Sequence, residues 1–368
     1  MKIQFSKENL QKAINALSKV SQNKTSSNLP GSIYITTKDG KVEMQANDYQ
    51  IGIKIIIDAT IIEEGTIVLA MRYFQDWIRK TPSDIITLET NEDTKQLLIS
   101  TDSSQFKLVT MDINDFTLVD QIHDEYYIDI DGEQLKEMID LTNYAASTDE
   151  NAFMYTGALL ESSDNELTMV ATNTYRMAIK KVTLDNPIEN TMRMIIPTKT
   201  LAEVSRLLPT DNPTVVRIVW NRSQVAFIFD TVYLISRLIE ANFPDYNKVI
   251  PSTFDSSAVL NRRDFAGAVD RVSLLAKDAE YNVIRYDWNE TEVTLTTQNA
   301  EIGAAKEEVL CEFKGTPFTI SFNSKYISDI LRHSTGDRIH LYLKQNGPVV
   351  IRQDNNSNYT YVVTPIRK

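Results

Sequence analysis

In FSKENLQKAINALSKV (residues 5–20), Leu10, Ala13, Ile14 and Leu17 recur at the spacing that lines one side of a helix, with polar residues between them. The outline returns as IDGEQLKEMIDLTNYA (130–145) and LNRRDFAGAVDRVSLL (260–275), so that Leu10, Leu135 and Phe265 share one slot. A second helical pattern follows in each case, as MRYFQDWIRKTP, PTKTLAEVSRLLP and NSKYISDILRHS, with Phe74, Leu201 and Tyr326 in correspondence. The predicted helices cover residues 7–20, 72–81, 132–146, 197–208, 262–277 and 323–333.

Between the two helices of each copy lies a strand–turn–strand pattern: KDGKVEMQANDYQIGIKI, then DNELTMVATNTYRMAIKK, then NETEVTLTTQNAEIGAAK. Aligning these on Ile51, Met177 and Ile302 gives intervals of 126 and 125 residues, and puts Arg176 opposite Gln50 and Glu301, with Tyr175 opposite Tyr49 and Ala300. After each second helix come further alternating runs, such as QLLISTD with FKLVTM, SQVAFIF with YLISRL, and PVVIRQ with YTYVVTPI. Their Val, Ile, Thr and Tyr enrichment predicts strands buried on one face. The chain therefore reads as three similar α+β domains of about 125 residues, each large enough for its own core and too long for a solenoid repeat. Boundaries are expected in the connectors HDEYY and IPSTFDSS, giving domains 1–124, 125–252 and 253–368. Only the middle copy, in VATNTYRMA (170–178), combines an aromatic ring and a cation in its turn, which marks the Tyr175–Arg176 pair for something one domain does alone.

Composition adds bounds. Of the 368 residues, 42% are hydrophobic and 24% charged, a globular balance. No apolar run approaches the roughly 20 residues that span a bilayer, and MKIQFSKENL has no apolar signal core. With Cys311 the single cysteine, no intrachain disulfide can form, and a cytoplasmic location is expected. The net charge of −12 alone argues against a nucleic-acid partner. It is unevenly spread: the predicted helices hold 15 Lys and Arg against 9 Asp and Glu, leaving −18 for everything else. Helices gathered on one side would give a cationic face able to meet phosphates. Without a helix-turn-helix, zinc-ligand spacing or aromatic–basic strand set, such contact would be with the backbone and independent of sequence.

Chemistry is sparse. His123, His333 and His340 lie far apart, Cys311 in EEVLCEF reads as a buried thiol, and Glu307–Glu308 reads as solvated strand charge. The 11 glycines form no phosphate-binding loop. The expectation is a protein without catalytic residues, metal or cofactor. A three-domain interaction scaffold that never touches DNA, and a hydrolase with a divalent metal on surface carboxylates, remain as rivals at this point.

VATNTYRMA, LISRLIEANFPDY (234–246), IIPTKTLAEVSRLL (195–208), FNSKY (322–326) and the terminal YVVTPIRK, in register with three tandem repeats, resemble the bacterial sliding clamp family, the beta subunit of DNA polymerase III, along the whole chain. The resemblance implies a DNA clamp fold: a head-to-tail homodimeric ring with helices on its inner face and antiparallel sheets outside. It implies a non-catalytic processivity factor that encircles double-stranded DNA. Replicative polymerase, clamp loader and repair proteins would insert short peptide motifs between the second and third domains.

Carried over on the matching segments, the peptide pocket comprises Tyr155, Thr172, Thr174, Tyr175, Arg176, Met177, Pro244, Lys248, Val249, Asn323, Tyr326, Val362, Thr364, Pro365, Ile366 and Arg367. Apolar members would receive a partner's Leu or Phe, and Arg176 and Arg367 would bond its carbonyls or carboxylates. The family often has Gly-His where this chain has Thr174–Tyr175, and an apolar residue at Thr364. The resemblance further implies DNA contacts at Lys24, Arg72, Arg79 and Lys199, and a dimer interface at Phe106, Leu274 and Leu275 with FKLVTM as an edge strand.

Overall fold

The computed structural model describes residues 1–21, 31–91, 93–123, 126–276, 282–354 and 356–366. Of the residues singled out from the sequence, Lys24, Arg367 and the boundary position Asp124 lie outside these segments.

Six α-helices occur among the described residues: α1 (Lys7–Ser21), α2 (Met71–Lys80), α3 (Gly132–Thr142), α4 (Thr198–Leu207), α5 (Arg262–Ala276) and α6 (Ser324–His333). The first helix of each later repeat opens on an Asx cap. Asp131 Oδ1 accepts from the backbone N–H of Glu133 and Gln134, and Asn261 Oδ1 from those of Arg263 and Asp264. Asn323 caps α6 through Lys325 N–H in the same way. Such caps satisfy donors the helix leaves open and contribute about 1 kcal/mol each. α2 buries Met71, Phe74 and Ile78 and carries Arg79 and Lys80 in its last turn, where cations suit the helix dipole. α3 ends four residues before the periodicity suggests. Thr142 Oγ1 donates back to Met138 O (2.7 Å), and Asn143–Ala145 tightens into a 3₁₀ turn.

Among the described residues all the strand pairings are antiparallel. A five-stranded sheet runs Thr60–Glu63, Lys2–Ser6, Ile85–Asn91, Gln96–Ser100, Gln105–Val109. An eight-stranded sheet joins strands of two repeats: Tyr126–Asp131, Val215–Trp220, Gln224–Phe229 and Val232–Arg237 continue into Ile51–Ile57, Lys41–Asn47, Ser32–Lys38 and Thr66–Ala70. A longer sheet does the same for the second and third repeats. There Arg193–Pro197, Gly157–Ser163, Glu166–Thr172 and Arg176–Thr183 continue into Tyr359–Val363, Val349–Gln353, Arg338–Leu343 and Ser256–Asn261.

Those seams regroup the chain. Residues 1–135 with 203–238 pack as one compact unit, and 136–202 with 239–368 as another, so the middle repeat is divided between them. In the first unit α1 lies against α2, with Gln75 Nε2 donating to Asn15 Oδ1 and Ser18 Oγ, and also covers the strands Lys41–Asn47 and Ile51–Ile57. In the second, α5 lies against α6 and the strands Glu292–Asn299 and Gly303–Lys314, over a core that includes Phe265, Tyr286, Trp288 and Phe322.

Candidate functional site

The stretch Thr172–Met177 is a hairpin turn joining two strands of the second unit. Thr172 pairs with Met177 across it, and Asn173 Oδ1 accepts from Tyr175 N and Arg176 N. Thr174 sits at φ +75°, in the left-handed region that a β-branched residue seldom enters. The turn is held by Thr172 Oγ1, which accepts from Thr174 N (3.0 Å) and donates to Arg176 O (2.7 Å).

The same bonds correct the repeat alignment. In the first repeat Asp48 Oδ1 accepts from Gln50 N and Ile51 N, Tyr49 takes the positive φ (+68°), and Asn47 pairs with Gly52. In the third, Asn299 Oδ1 accepts from Glu301 N and Ile302 N. Arg176 therefore occupies the slot of Ile51 and Ile302, and Tyr175 that of Gln50 and Glu301. Matching on apolar residues put the middle copy one place off, because the position that is isoleucine in its neighbours is an arginine there.

That arginine is buried, at 6% exposure. Successive strand residues face opposite sides of the sheet, so Arg176 is turned away from Met177 and Ile179. Its Nη1 donates to Asp329 Oδ2 on α6 at 2.5 Å, and its Nη2 to Tyr144 O. The guanidinium carbon lies 4.7 Å from the centre of the Tyr326 ring and 5.6 Å from that of Tyr144, within cation–π range. Burial works to lower the pKa of Arg176, but Tyr361 and Asp329 more than offset it and hold it above the ordinary arginine value. Around this cation Tyr144 Oη and Tyr359 Oη are 2.6 Å apart, His333 stacks on Tyr144 at 4.1 Å, and Tyr361 Oη donates to Tyr326 O. Burial drives the Tyr144 hydroxyl's pKa well above the ordinary phenol value, so it is protonated. In this chain Arg176 braces the hairpin against α6, its side chain leaving the sheet on the face opposite Met177 and Ile179.

The other face carries an apolar cluster. Met177 pairs with Val362 across the seam, and both join an apolar cluster with Leu159, Val170, Ile179, Ile195 and Val350. Tyr155 and Tyr342 pack on it half-buried, with Tyr155 edge-on to Phe243 at 6.1 Å. The connector after Arg237 closes one side: Ile239, Phe243 and Tyr246 enter the cluster. Arg193 ties it down, pairing with Glu161 and donating Nη2 to Phe243 O (3.1 Å), while Tyr246 Oη donates to Glu161 (2.7 Å). Burial, then the Glu161 bond, raise the Tyr246 pKa.

The C-terminal strand is anchored to the same turn. Thr364 donates through N and Oγ1 to Tyr175 O at 2.9 and 3.0 Å, and Ile366 N donates to Ser321 O. This leaves Thr364, Pro365 and Ile366 half-buried beside an exposed Tyr175 (61%). Tyr326 Oη accepts from Asn173 Nδ2 at 3.2 Å, so α6 also touches the turn directly. Pro244, Lys248 and Val249 are exposed along the connector, with Lys248 paired to Asp245 at 3.4 Å, and Asn323 is engaged as the α6 cap. The sequence reading missed Asp329, Tyr144, Phe243, Tyr246 and Val350. A carboxylate between Ile327 and Ile330 of α6 was the available signal for Asp329.

The remaining candidates are scattered. Arg72 and Arg79 are exposed on α2, Arg79 paired with Asp76 at 2.9 Å, and Lys199 is exposed on α4. Phe106 is half-buried in the edge strand Gln105–Val109, stacked on Trp77 at 6.1 Å. Leu274 is 64% exposed near the end of α5, with Leu275 half-buried beside it. Gly303–Lys314 pairs with Ser256–Asn261 only from Cys311 onward. Glu307 pairs with Arg271 and Glu308 with Lys306, so these carboxylates are already neutralised. Cys311 is half-buried rather than buried; burial, then Glu292, push its thiol up to about 11.

Family models describing the N-terminal, central and C-terminal domains of the DNA polymerase III beta subunit match residues 1–120, 129–245 and 247–367. The beta sliding clamp of Staphylococcus aureus (strain Mu50) is 33% identical over 345 residues, 91% of each chain. Among solved structures, the DNA polymerase sliding clamp of Bacillus subtilis superposes with a TM-score of 0.94 at 28% identity, over 100% of this chain and 99% of that one. A sliding clamp of Pseudomonas aeruginosa bound to griselimycin gives 0.93 at 25% identity, with 100% of both chains covered. Three tandem domains, their order and their antiparallel sheets all agree: this chain belongs to the DNA polymerase III beta subunit family, the bacterial sliding clamps.

Proposed function

We infer that this chain works as a DNA polymerase processivity factor, a non-catalytic ring of two copies that encircles duplex DNA and tethers partner proteins. The observation that carries this is the unbroken run of three clamp domains along the chain. Head-to-tail contacts close into a ring when the rotation per copy divides the circle. A closed ring holds DNA by topology, so it needs neither base readout nor a strongly basic surface, which reconciles the net charge of −12 with a DNA partner. A DNA partner supports a cytoplasmic location.

Partner peptides enter the apolar groove at the seam of the second and third domains. Met177, Val362, Tyr155 and the half-buried Thr364–Ile366 segment support an apolar anchor there, with Thr172, Thr174, Tyr175, Pro244, Lys248, Val249, Asn323 and Tyr326 around it. The Pseudomonas aeruginosa clamp with griselimycin bound supports a ligand site on this fold. Arg72, Arg79 and Lys199 face DNA phosphates in this reading, and Phe106 meets Leu274 and Leu275 of the partner copy where two free strand edges come together. The domains run 1–124, 125–252 and 253–368.

Retention on circular DNA separates this function from an interaction scaffold. Ring loaded by a clamp loader stays with a nicked circle through gel filtration and is lost on linearisation; equal loss from both would overturn the reading. Met177→Glu, which puts a charge on the groove floor, abolishes stimulation of polymerase product length while circle retention persists.

A further inference from the structure

We propose that the seam between the first and second repeats carries a second, shallower groove, which takes an extended partner peptide bearing one aliphatic side chain followed by a carboxylate. The proposal rests on reading the Met177–Val362 seam as a peptide groove, because the two seams share one backbone plan. Arg237 N donates to Gln50 O at 3.0 Å, as Thr364 N donates to Tyr175 O at 2.9 Å. Ile235 pairs with Gly52 as Val362 pairs with Met177. Asp48 builds the turn that Asn173 builds in the later copy, with Tyr49 and Thr174 in the same left-handed slot. A connector residue covers each seam: Val119 joins the cluster of Val219, Ala226, Tyr233 and Ile235 as Tyr246 joins that of Val350 and Val362.

A cavity of about 110 Å³ remains at the first seam, bounded by Tyr49, Gly52, Leu118, Val119, Ile235 and Arg237. That is room for one branched aliphatic side chain. Its rim is open, with Tyr49 51% and Leu118 48% exposed, and the polar residues Asn47, Gln50, Thr117, Gln224 and Ser236 also line it. Arg237 is exposed and makes no ion pair among the described residues, which leaves its guanidinium for an incoming carboxylate. Asp120 also lines the cavity and repels a carboxylate there, so the acidic residue is oriented to the Arg237 end. This seam lacks the brace of the later one, since Ile51 stands where Arg176 does, and the fit is correspondingly weaker.

Methyl NMR of the dimeric clamp, labelled at Ile, Leu, Val and Met, tests this with the peptide acetyl-Ser-Gly-Leu-Asp-Gly-Ser-amide. Saturable shifts are expected at Leu118 and Ile235, and Arg237→Glu raises the dissociation constant read there at least about tenfold. Unmoved Leu118 and Ile235 signals at millimolar peptide overturn the proposal. Shifts that survive Arg237→Glu, or that follow clamp concentration without peptide and so report a second copy, overturn it as well. Met177 and Val362 methyls report the later seam separately, so its failure is read apart from this one.

Discussion

The two seams share one backbone plan, and two of the side-chain differences between them bear most on how each is packed. At the first, Ile51 and Gly52 follow the turn; at the second, Arg176 and Met177 hold those places. Glycine lets the connector close in: a Cβ at Gly52 would meet both Val119 methyls at 3.0 Å and Ile235 at 3.1 Å. Methionine instead adds a flexible, polarisable side chain to the apolar cluster of the second seam. On the reverse face, isoleucine needs no partner, whereas the buried arginine requires Asp329 and so locks the turn to α6. The first seam is closely covered by its own connector, with only a shallow cavity left, and the second is braced by its arginine.

Three tests break or sharpen that contrast. The largest effect is expected from Asp329→Ala, which strands the Arg176 cation and costs about 3–5 kcal/mol, whereas Ile51→Val at the matching place costs about 0.5–1.5 kcal/mol. Urea denaturation of both variants checks this, and equal losses would show that the brace contributes nothing. Next comes Gly52→Met, which installs the later seam's residue in the earlier one. Overpacking against Val119 is expected to cost about 1–3 kcal/mol, with new amide hydrogen exchange along residues 117–122. A variant as stable and protected as the parent would mean that glycine is not what admits the connector. The smallest effect belongs to Tyr49→Gly and Thr174→Gly. Relief of positive-φ strain, about 1–3 kcal/mol, is opposed by glycine's entropy, about 0.5–1 kcal/mol. Each melting temperature is therefore expected to hold or rise slightly, and a fall at only one turn would show that the two are not equivalent.

Much of this architecture was legible in the letters. The helices fall within a residue or two of their apolar periodicity except α3, whose end is set by a hydroxyl bonding back to its own backbone. Phe106–Val109 of FKLVTM lies in a strand at a sheet edge, a strand as its alternation suggested and an edge as the resemblance implied. The segments that meet at the second seam were legible, but the partner of its arginine was not. The turn's alignment failed by one place because apolar matching assumes that the core slot stays apolar, and Arg176 violates that while remaining buried. Its counter-ion sits 153 residues away, at a distance that no local pattern registers.

The sequence by itself determined the three repeats, their elements and the family, because periodicity, caps and turn chemistry are local and recur every 125 residues or so. Only the tertiary structure decided which strands join across repeat boundaries, which face of the sheet Arg176 leaves from, and how closely a connector covers each seam. Those depend on register and on non-local partners, and a shift of one residue reverses every side chain's direction.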